Sequence, residues 1–124
     1  MKGIILAAGR GSRMGNVTDI KPKCLVEIDN RTLLDYQLTA LSEGGVNDVA
    51  IVTGYKRQEL QHYKLTQFHN PKWQTTNIVS SLIYAKCWLE KHTCIVSYSD
   101  IYYFPEAVKL LRKCPSKLAL TYDP

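Results

Sequence analysis

The sequence has 124 residues, of which 45% are hydrophobic and 22% are charged, with a formal net charge of +5 at pH 7. These values are those of an ordinary single globular domain, and a transmembrane helix is excluded because no run of about 18 apolar residues occurs. The apolar stretch before Gly9 is also too short for the roughly 7–15-residue core of a secretory signal peptide, so we expect a cytoplasmic protein.

The first third of the chain predicts two strands and one helix. Lys2–Leu6 is a short apolar run that ends in glycine-rich sequence, and Cys24–Ile28 reads as a second extended segment. Thr32 is placed to cap a helix, with Asp35 three residues later, and Gly44–Gly45 ends that helix. The apolar face of the helix is formed by the leucines at positions 34, 38 and 41.

The rest of the chain continues the alternation of strands and helices. The clearest strand is Val49–Thr53, which is continuous, apolar and free of breakers, and Pro105 suits the first turn of a helix. The further elements are a short helix within 55–63, a weaker strand 64–69, a helix 78–90, a strand 93–100, a helix 106–113 and a strand 117–122. This order predicts an α/β, Rossmann-like fold in three layers, with a mainly parallel sheet covered by helices on both faces.

A glycine-rich segment, "AAGRGSRMG", leaves the carboxyl end of the first predicted strand, where open α/β sheets bind ligands. The dinucleotide fingerprint G-x-G-x-x-G fails because Met14 stands at its last glycine, and the P-loop pattern fails as well. The remaining pattern combines small residues, whose backbone amides can form an anion-binding nest, with Arg13, whose guanidinium can hold phosphate oxygens bidentately. This combination indicates a bound polyanion.

Basic residues concentrate beside the glycines. Within 14 residues the chain places four of them, Arg10, Arg13, Lys21 and Lys23, with a single acid, Asp19. Lys23 follows Pro22, which stiffens the segment, and its compact ammonium suits charge that develops on one phosphoryl group. The other lysines are scattered among acids and do not form a basic stripe with interleaved aromatics, so a phosphorylated small molecule is favoured over nucleic acid.

The segments "LAAGRGSRMG" and "KPKCL" resemble the signature of the nucleotidyltransferase superfamily that makes nucleotide sugars and CDP-alcohols, and "NPKWQTTNIVSSL" is similar to its phosphocholine cytidylyltransferase branch. The resemblance implies two catalytic residues, Arg13 on the outer phosphates and Lys23 at the reacting centre. The segment "CIVSYSD" resembles the strand that delivers a metal-binding aspartate, which implies that Asp100 holds Mg²⁺. The implied nucleotide-binding residues are Leu6, Ala7, Ala8, Gly9, Gly11, Ser12, Asn77 and Ser81.

The resemblance further implies that residues 1–124 form the N-terminal, nucleotide-binding part of a single nucleotidyltransferase domain. Such an enzyme transfers a nucleoside monophosphate from an NTP, with CTP favoured, to phosphocholine or a sugar 1-phosphate and releases pyrophosphate. A second metal-binding acid and the acceptor-binding half are expected beyond this sequence, and neither nucleic acid nor a membrane is expected as a partner. The alternative is a non-catalytic nucleotide-binding fragment or module of the same fold, and the base and the acceptor stay open.

Overall fold

The computed structural model describes residues 1–9 and 22–114. Its strands are β1 (Lys2–Ala7), β2 (Glu27–Ile28), β3 (Arg31–Thr32), β4 (Asp48–Thr53), β5 (Thr66–His69) and β6 (Cys94–Tyr98). Its α-helices are α1 (Leu33–Glu43), α2 (Lys86–Lys91) and α3 (Pro105–Lys113), and 3₁₀ segments cover Lys23–Leu25, Arg57–Leu60 and Ser80–Ala85. The loop residues 10–21 and the predicted strand 117–122 lie outside the described residues.

The main sheet has four parallel strands in the order β5-β4-β1-β6. The chain runs outward from β1 through β4 to β5 and then returns to the other side of β1 with β6. In this register Leu6 lies between Val52 of β4 and Tyr98 of β6. Ligands of open α/β sheets bind beyond the carboxyl ends of the strands where the order reverses, which here is between β1 and β6.

Both faces of the sheet are covered, as the alternation of elements predicted. On one face the core joins β1 and β4 to α1 and α3, with members that include Ile5, Leu34, Leu41, Ile51 and Val108. On the other face the core joins β1 and β4 to the segment 78–88, with members that include Ile4, Leu6, Val52, Ala85 and Trp88. The three-layer α/β prediction is therefore confirmed. Within residues 1–9 and 22–114, no helix is long and apolar enough to cross a membrane.

The ends of α1 are fixed by the residues that the sequence indicated. The Thr32 hydroxyl accepts a hydrogen bond from the Asp35 backbone amide at 3.0 Å, which is the predicted cap. At the other end, a Cβ on Gly44 would lie 2.5 Å from Cγ1 of Val108, so the lack of a side chain lets α3 approach α1 closely. Arg112 Nη1 donates to the Gly44 carbonyl at 2.9 Å and joins the two helices.

The prediction of an extended segment over Cys24–Ile28 is wrong in its first half. Lys23–Leu25 forms a 3₁₀ turn in which the Leu25 amide donates to the Pro22 carbonyl at 3.0 Å. Successive side chains of a strand point to opposite faces, whereas Cys24 and Leu25 are both buried in the same apolar cluster, which requires a turn. The remaining residues form β2, which pairs with β3 and not with the main sheet.

The prediction of a helix within 55–63 is met only by a 3₁₀ turn, and the predicted helix 78–90 is only partly α-helical. Arg57–Leu60 is a 3₁₀ turn, and Ser80–Ala85 is a 3₁₀ segment that precedes the six-residue α2. The start of the second segment, "IVSS", is poor in helix-forming residues, because β-branched and serine side chains disfavour the helix interior. The Ser81 hydroxyl also donates to the Ile78 carbonyl at 2.5 Å, a local bond that competes with α-helical pairing.

Candidate active site

Lys23 and Asp100 form an ion pair just beyond the carboxyl end of β6. Lys23 Nζ lies 2.8 Å from Asp100 Oδ2, and the two side chains are 20% and 38% exposed. The residues are 77 positions apart in sequence and meet because β6 is the direct neighbour of β1. A pair that is open to solvent contributes about 0–1 kcal/mol to stability, so its consequence lies in where it places the two charges.

A buried turn holds Lys23 in this position. Pro22 is extended, with φ −58° and ψ 152°, and the next residues bend sharply into the 3₁₀ turn. Cys24 and Leu25 anchor the turn in the core, while the lysine side chain reaches outward to Asp100. Burial raises the pKa of the Cys24 thiol to about 12, which keeps it neutral and leaves no thiolate nucleophile beside Lys23.

Asp100 is held by a residue of α1 that the sequence did not single out. Gln37 is fully buried, and its Nε2 donates to the Tyr98 carbonyl at 2.9 Å and to the Ile101 carbonyl at 2.6 Å. These two carbonyls flank Ser99 and Asp100. A signal was present in the sequence, because a glutamine three residues after Leu34 and four before Leu41 lies on the predicted apolar face of the helix.

The end of β1 is packed against the turn that follows β4. The Tyr55 amide donates to the Ala8 carbonyl at 2.9 Å. A Cβ on Gly54 would lie 2.5 Å from that carbonyl oxygen and 2.6 Å from Cβ of Trp73, so only glycine fits between them. The rings of Tyr55 and Trp73 meet edge to face at 5.2 Å. The backbone on which the glycine-rich loop begins is therefore fixed in position.

The two predicted nucleotide-binding segments come together beside Gly9. Among the described residues, a Cβ on Gly9 would have one neighbour within 4 Å, Cδ1 of Ile78 at 3.9 Å. Asn77 is exposed, and its Oδ1 accepts the Ser80 amide at 2.7 Å. Ser81 is buried and its hydroxyl is engaged with Ile78, so a nucleotide would reach that hydroxyl only after this bond opens.

The remaining predicted residues divide into two groups. Leu6 and Ala7 are buried within β1, where only their backbone can face a ligand. Gly11, Ser12 and Arg13 lie outside the described residues. The roles of all these residues in binding and catalysis stay predictions.

A closed metal site of protein ligands is not formed by the described residues, since no group of three or more His, Cys, Asp or Glu side chains there could hold a metal ion. Asp100 supplies one carboxylate, which is partly exposed and points toward Lys23. Mg²⁺ commonly keeps several waters and is shared between one or two carboxylates and substrate phosphates. A single carboxylate beside a lysine therefore fits Mg²⁺ that arrives with a triphosphate and does not fit a structural metal.

Exposed aromatic rings follow Asp100 along the chain. Tyr102 is 53% exposed and Phe104 is 63% exposed. The ring of Tyr102 lies between those of Tyr36 and Phe104, edge to face, at 5.4 and 5.3 Å. Tyr102 and Phe104 therefore present an exposed aromatic surface two and four residues after Asp100.

Known proteins share both the sequence pattern and the architecture. Residues 3–118 match the family described as MobA-like NTP transferase domain. The CTP:phosphoglutamine cytidylyltransferase of Campylobacter jejuni is 39% identical over 133 aligned residues, which cover 99% of this chain and 53% of the relative. The solved structure of CTP:phosphocholine cytidylyltransferase from Streptococcus pneumoniae superposes with a TM-score of 0.75 at 34% identity, over 83% of this chain and 46% of that one.

A more distant structure supports the fold alone. The inositol-1-phosphate CTP transferase from T. maritima has a TM-score of 0.74 at 24% identity and covers 87% of this chain and 46% of that one. The chain thus spans about half the length of the proteins it matches. Since the family match extends over nearly the whole sequence, the chain belongs to the MobA-like NTP transferase domain family, among whose members it resembles cytidylyltransferases.

Proposed function

We propose that this chain is the nucleotide-binding part of a nucleotidyltransferase that moves CMP from CTP to a phosphorylated acceptor and releases pyrophosphate. The observation that carries the proposal is the Lys23–Asp100 pair, a phosphate-type cation and a metal-type carboxylate in contact at 2.8 Å where the strand order reverses. CTP is favoured because similar proteins, from Campylobacter jejuni and Streptococcus pneumoniae, carry CTP in their names.

In the proposed reaction an oxygen of the acceptor phosphate attacks the α-phosphorus of CTP. The bond from that phosphorus to the bridging oxygen breaks, and the electron pair leaves with pyrophosphate. Such a transfer needs positioned charge and no covalent nucleophile. Lys23 would bind the oxygens of the transferring phosphoryl group, and Arg13 would bind the departing pyrophosphate. Asp100 would hold Mg²⁺, which supplies Lewis-acid neutralisation of phosphate charge when it is bound.

In the proposed function, the Lys23–Asp100 ion pair couples the binding of nucleotide to the binding of Mg²⁺. Without ligand, Lys23 and Asp100 neutralise each other and keep both side chains near the proposed reaction centre. A triphosphate offers oxygens to the lysine, and the carboxylate is then free to bind a cation. Because each partner releases the other, nucleotide and Mg²⁺ are expected to bind cooperatively, each raising the affinity for the other.

The acceptor is proposed to lie near Tyr102. Its exposed ring, with those of Tyr36 and Phe104, is chemically suited to a quaternary ammonium such as that of phosphocholine. A sugar 1-phosphate is the alternative acceptor, and the two acceptors are compared by the pyrophosphate that each releases in the same assay.

A second candidate is a nucleotide-binding module that does not catalyse transfer. It is compatible with the same family match and the same Lys23–Asp100 pair. This candidate keeps the same glycine-rich loop and the same Lys23 contact with nucleotide but needs no acceptor site.

The test is thermal unfolding of the chain with CTP, UTP, GTP and dTTP, each with and without Mg²⁺. A nucleotide at about 100 times its dissociation constant should stabilise the fold by about 2.7 kcal/mol. Lys23→Ala should lose that stabilisation, whereas Lys109→Ala, which removes an exposed lysine from α3, should keep it. If no nucleotide raises the melting temperature, or if both variants respond alike, the proposed site is wrong. Pyrophosphate release with phosphocholine or a sugar 1-phosphate then separates the enzyme from the module.

A further inference from the structure

We propose that Gln37 is a positioning residue that fixes the backbone of the Asp100 segment, defined as residues 98–101, and thereby sets the affinity of the site for Mg²⁺. The inference rests on the proposed function, because it assumes that Asp100 holds the metal. It deepens that function by adding a residue of α1, far from the glycine-rich loop in sequence, to the machinery that places the carboxylate.

The contact is made by one amide group with two carbonyls. Gln37 Nε2 carries two N–H donors, and these reach the carbonyl oxygens of Tyr98 at 2.9 Å and of Ile101 at 2.6 Å. Only Ser99 and Asp100 lie between those carbonyls. The Asp100 backbone is therefore bracketed on both sides by bonds to the same side chain.

The chemistry of the partners fixes the orientation of the amide. Both acceptors are backbone carbonyl oxygens, which cannot donate, so the NH₂ group and not the oxygen must face them. Gln37 Oε1 consequently points elsewhere, and among the described residues this buried oxygen has no hydrogen-bond partner.

Packing alone does not account for a glutamine at this position. Gln37 is fully buried, and a methionine would fill the same volume without placing an unpartnered amide oxygen in the core. The amide oxygen of Gln37 has no partner among the described residues, and both of its N–H donors bind one short segment. This arrangement indicates that the Gln37 side chain positions that segment.

Gln37 fixes the backbone from which the Asp100 side chain reaches Lys23. Ser99 is buried and Asp100 is exposed, so the chain turns outward at the aspartate. Small shifts of this backbone would move the carboxylate away from Lys23 and from a metal shared with phosphate. In metal sites, residues that orient a ligand from outside the coordination shell typically change metal affinity or activity about 10–100-fold when replaced.

The first arm of the test needs no ligand. Hydrogen exchange of backbone amides is measured in the wild-type chain, in Gln37→Met, which keeps the length but has no donor, and in Gln37→Asn, which keeps a donor on a shorter side chain. Exchange at residues 99–102 should accelerate in both variants relative to exchange at residues 48–53 of β4. Equal exchange rates in this segment for wild type and both variants would overturn the inference.

The second arm measures CTP binding by calorimetry over a series of Mg²⁺ concentrations and with a chelator. We expect Gln37→Met to need about 10–100-fold more Mg²⁺ for tight CTP binding, with unchanged affinity in the chelator. The matched control is Leu41→Ala, because Leu41 is buried on the same helix and packs near Gly3 at the opposite end of β1. It should lower the melting temperature through a cavity but leave the Mg²⁺ dependence unchanged.

The outcomes separate this inference from the proposed function. If the wild-type chain binds no nucleotide, the proposed function fails, and the role of Gln37 in metal binding fails with it. If wild type binds CTP with Mg²⁺ but Gln37→Met shows the same Mg²⁺ dependence as Leu41→Ala, the proposed function stands and only the inference is overturned. A Mg²⁺ requirement raised about 10–100-fold in Gln37→Met but not in Leu41→Ala supports both.

Discussion

Two glycine-to-alanine changes beside the end of β1 test the packing of the site and its ligand binding separately. Gly54 follows β4 and packs against Ala8, and Gly9 follows β1. In Gly54→Ala the new Cβ would lie 2.5 Å from the Ala8 carbonyl oxygen, 2.6 Å from Cβ of Trp73 and 3.0 Å from Cα of Ala8. None of these atoms is the far end of a flexible side chain, so the backbone itself must shift. Overpacking of this kind costs about 1–3 kcal/mol. We expect the melting temperature to fall by roughly 2–8 °C per kcal/mol, the range that spans domains somewhat smaller and larger than this one.

In Gly9→Ala the added methyl group would meet, among residues 1–9 and 22–114, only Cδ1 of Ile78, at 3.9 Å, and the backbone of Gly9 is not in the positive-φ region. Its stability should therefore change by less than about 1 kcal/mol. Its affinity for nucleotide should fall, because the methyl group occupies the space that a base or phosphate needs beside the backbone.

The assay is urea unfolding followed by circular dichroism, since Trp73 contacts the changed position and would distort a fluorescence signal. Calorimetric titration with CTP follows on the same samples. A Gly54→Ala protein as stable as wild type would refute the steric reasoning. Unchanged CTP affinity in Gly9→Ala would show that ligand does not approach the chain at this point.

Other predictions concern stability and reactivity. Thr32→Ala removes the cap of α1 and should cost about 1 kcal/mol in urea unfolding. Native Cys24 should resist alkylation by iodoacetamide, because burial raises its pKa to about 12, while the exposed Cys87 is modified, as peptide mass spectrometry can determine. The hydrogen bond and the charge of Lys2 lower the pKa of Asp48, so the stability from this pair is present at neutral pH and is lost as pH falls through that lowered pKa. An NMR titration of Lys2→Met should accordingly show the Asp48 pKa rising toward its ordinary value of 3.8.

The four strands of the main sheet and the first helix could be predicted because local signals determine them. β1 and β4 are buried on both faces and are therefore continuous apolar runs, and the Thr32 cap is a contact between residues three positions apart. The turn at Lys23–Leu25 could not be predicted in this way. Its shape follows from the burial of two adjacent side chains against α1 and β1, which is a property of the assembled core.

The roles of the candidate site residues stay predictions, and the sequence allowed their geometry to be stated only on the condition that two strands are neighbours. Lys23 and Asp100 were each proposed from sequence, but their contact depends on β6 lying next to β1, which strand order decides. Gln37 was missed because the sequence shows a polar residue on an apolar helix face without showing what it meets across 61 and 64 residues. The interpretation of Gly11, Ser12 and Arg13 depends on the sequence pattern and on the resemblance, since these residues lie outside the described ranges.

The chain between Tyr98 and Arg112 is tied to α1 at two separate points. At the beginning of this stretch, Gln37 binds the carbonyls of Tyr98 and Ile101. At the end of the stretch, Arg112 binds the Gly44 carbonyl. The two anchors, Gln37 in α1 and Gly44 at its C-cap, are seven positions apart, a rigid span of about 10 Å along the helix axis. Extra residues inserted beside the exposed Tyr102 or Phe104, on either side of the partly buried Tyr103, would therefore bulge into solvent without displacing the aspartate. Under the proposed function, evolution could lengthen or reshape this outer segment, and with it the choice of acceptor, while the Asp100 carboxylate stays where it is.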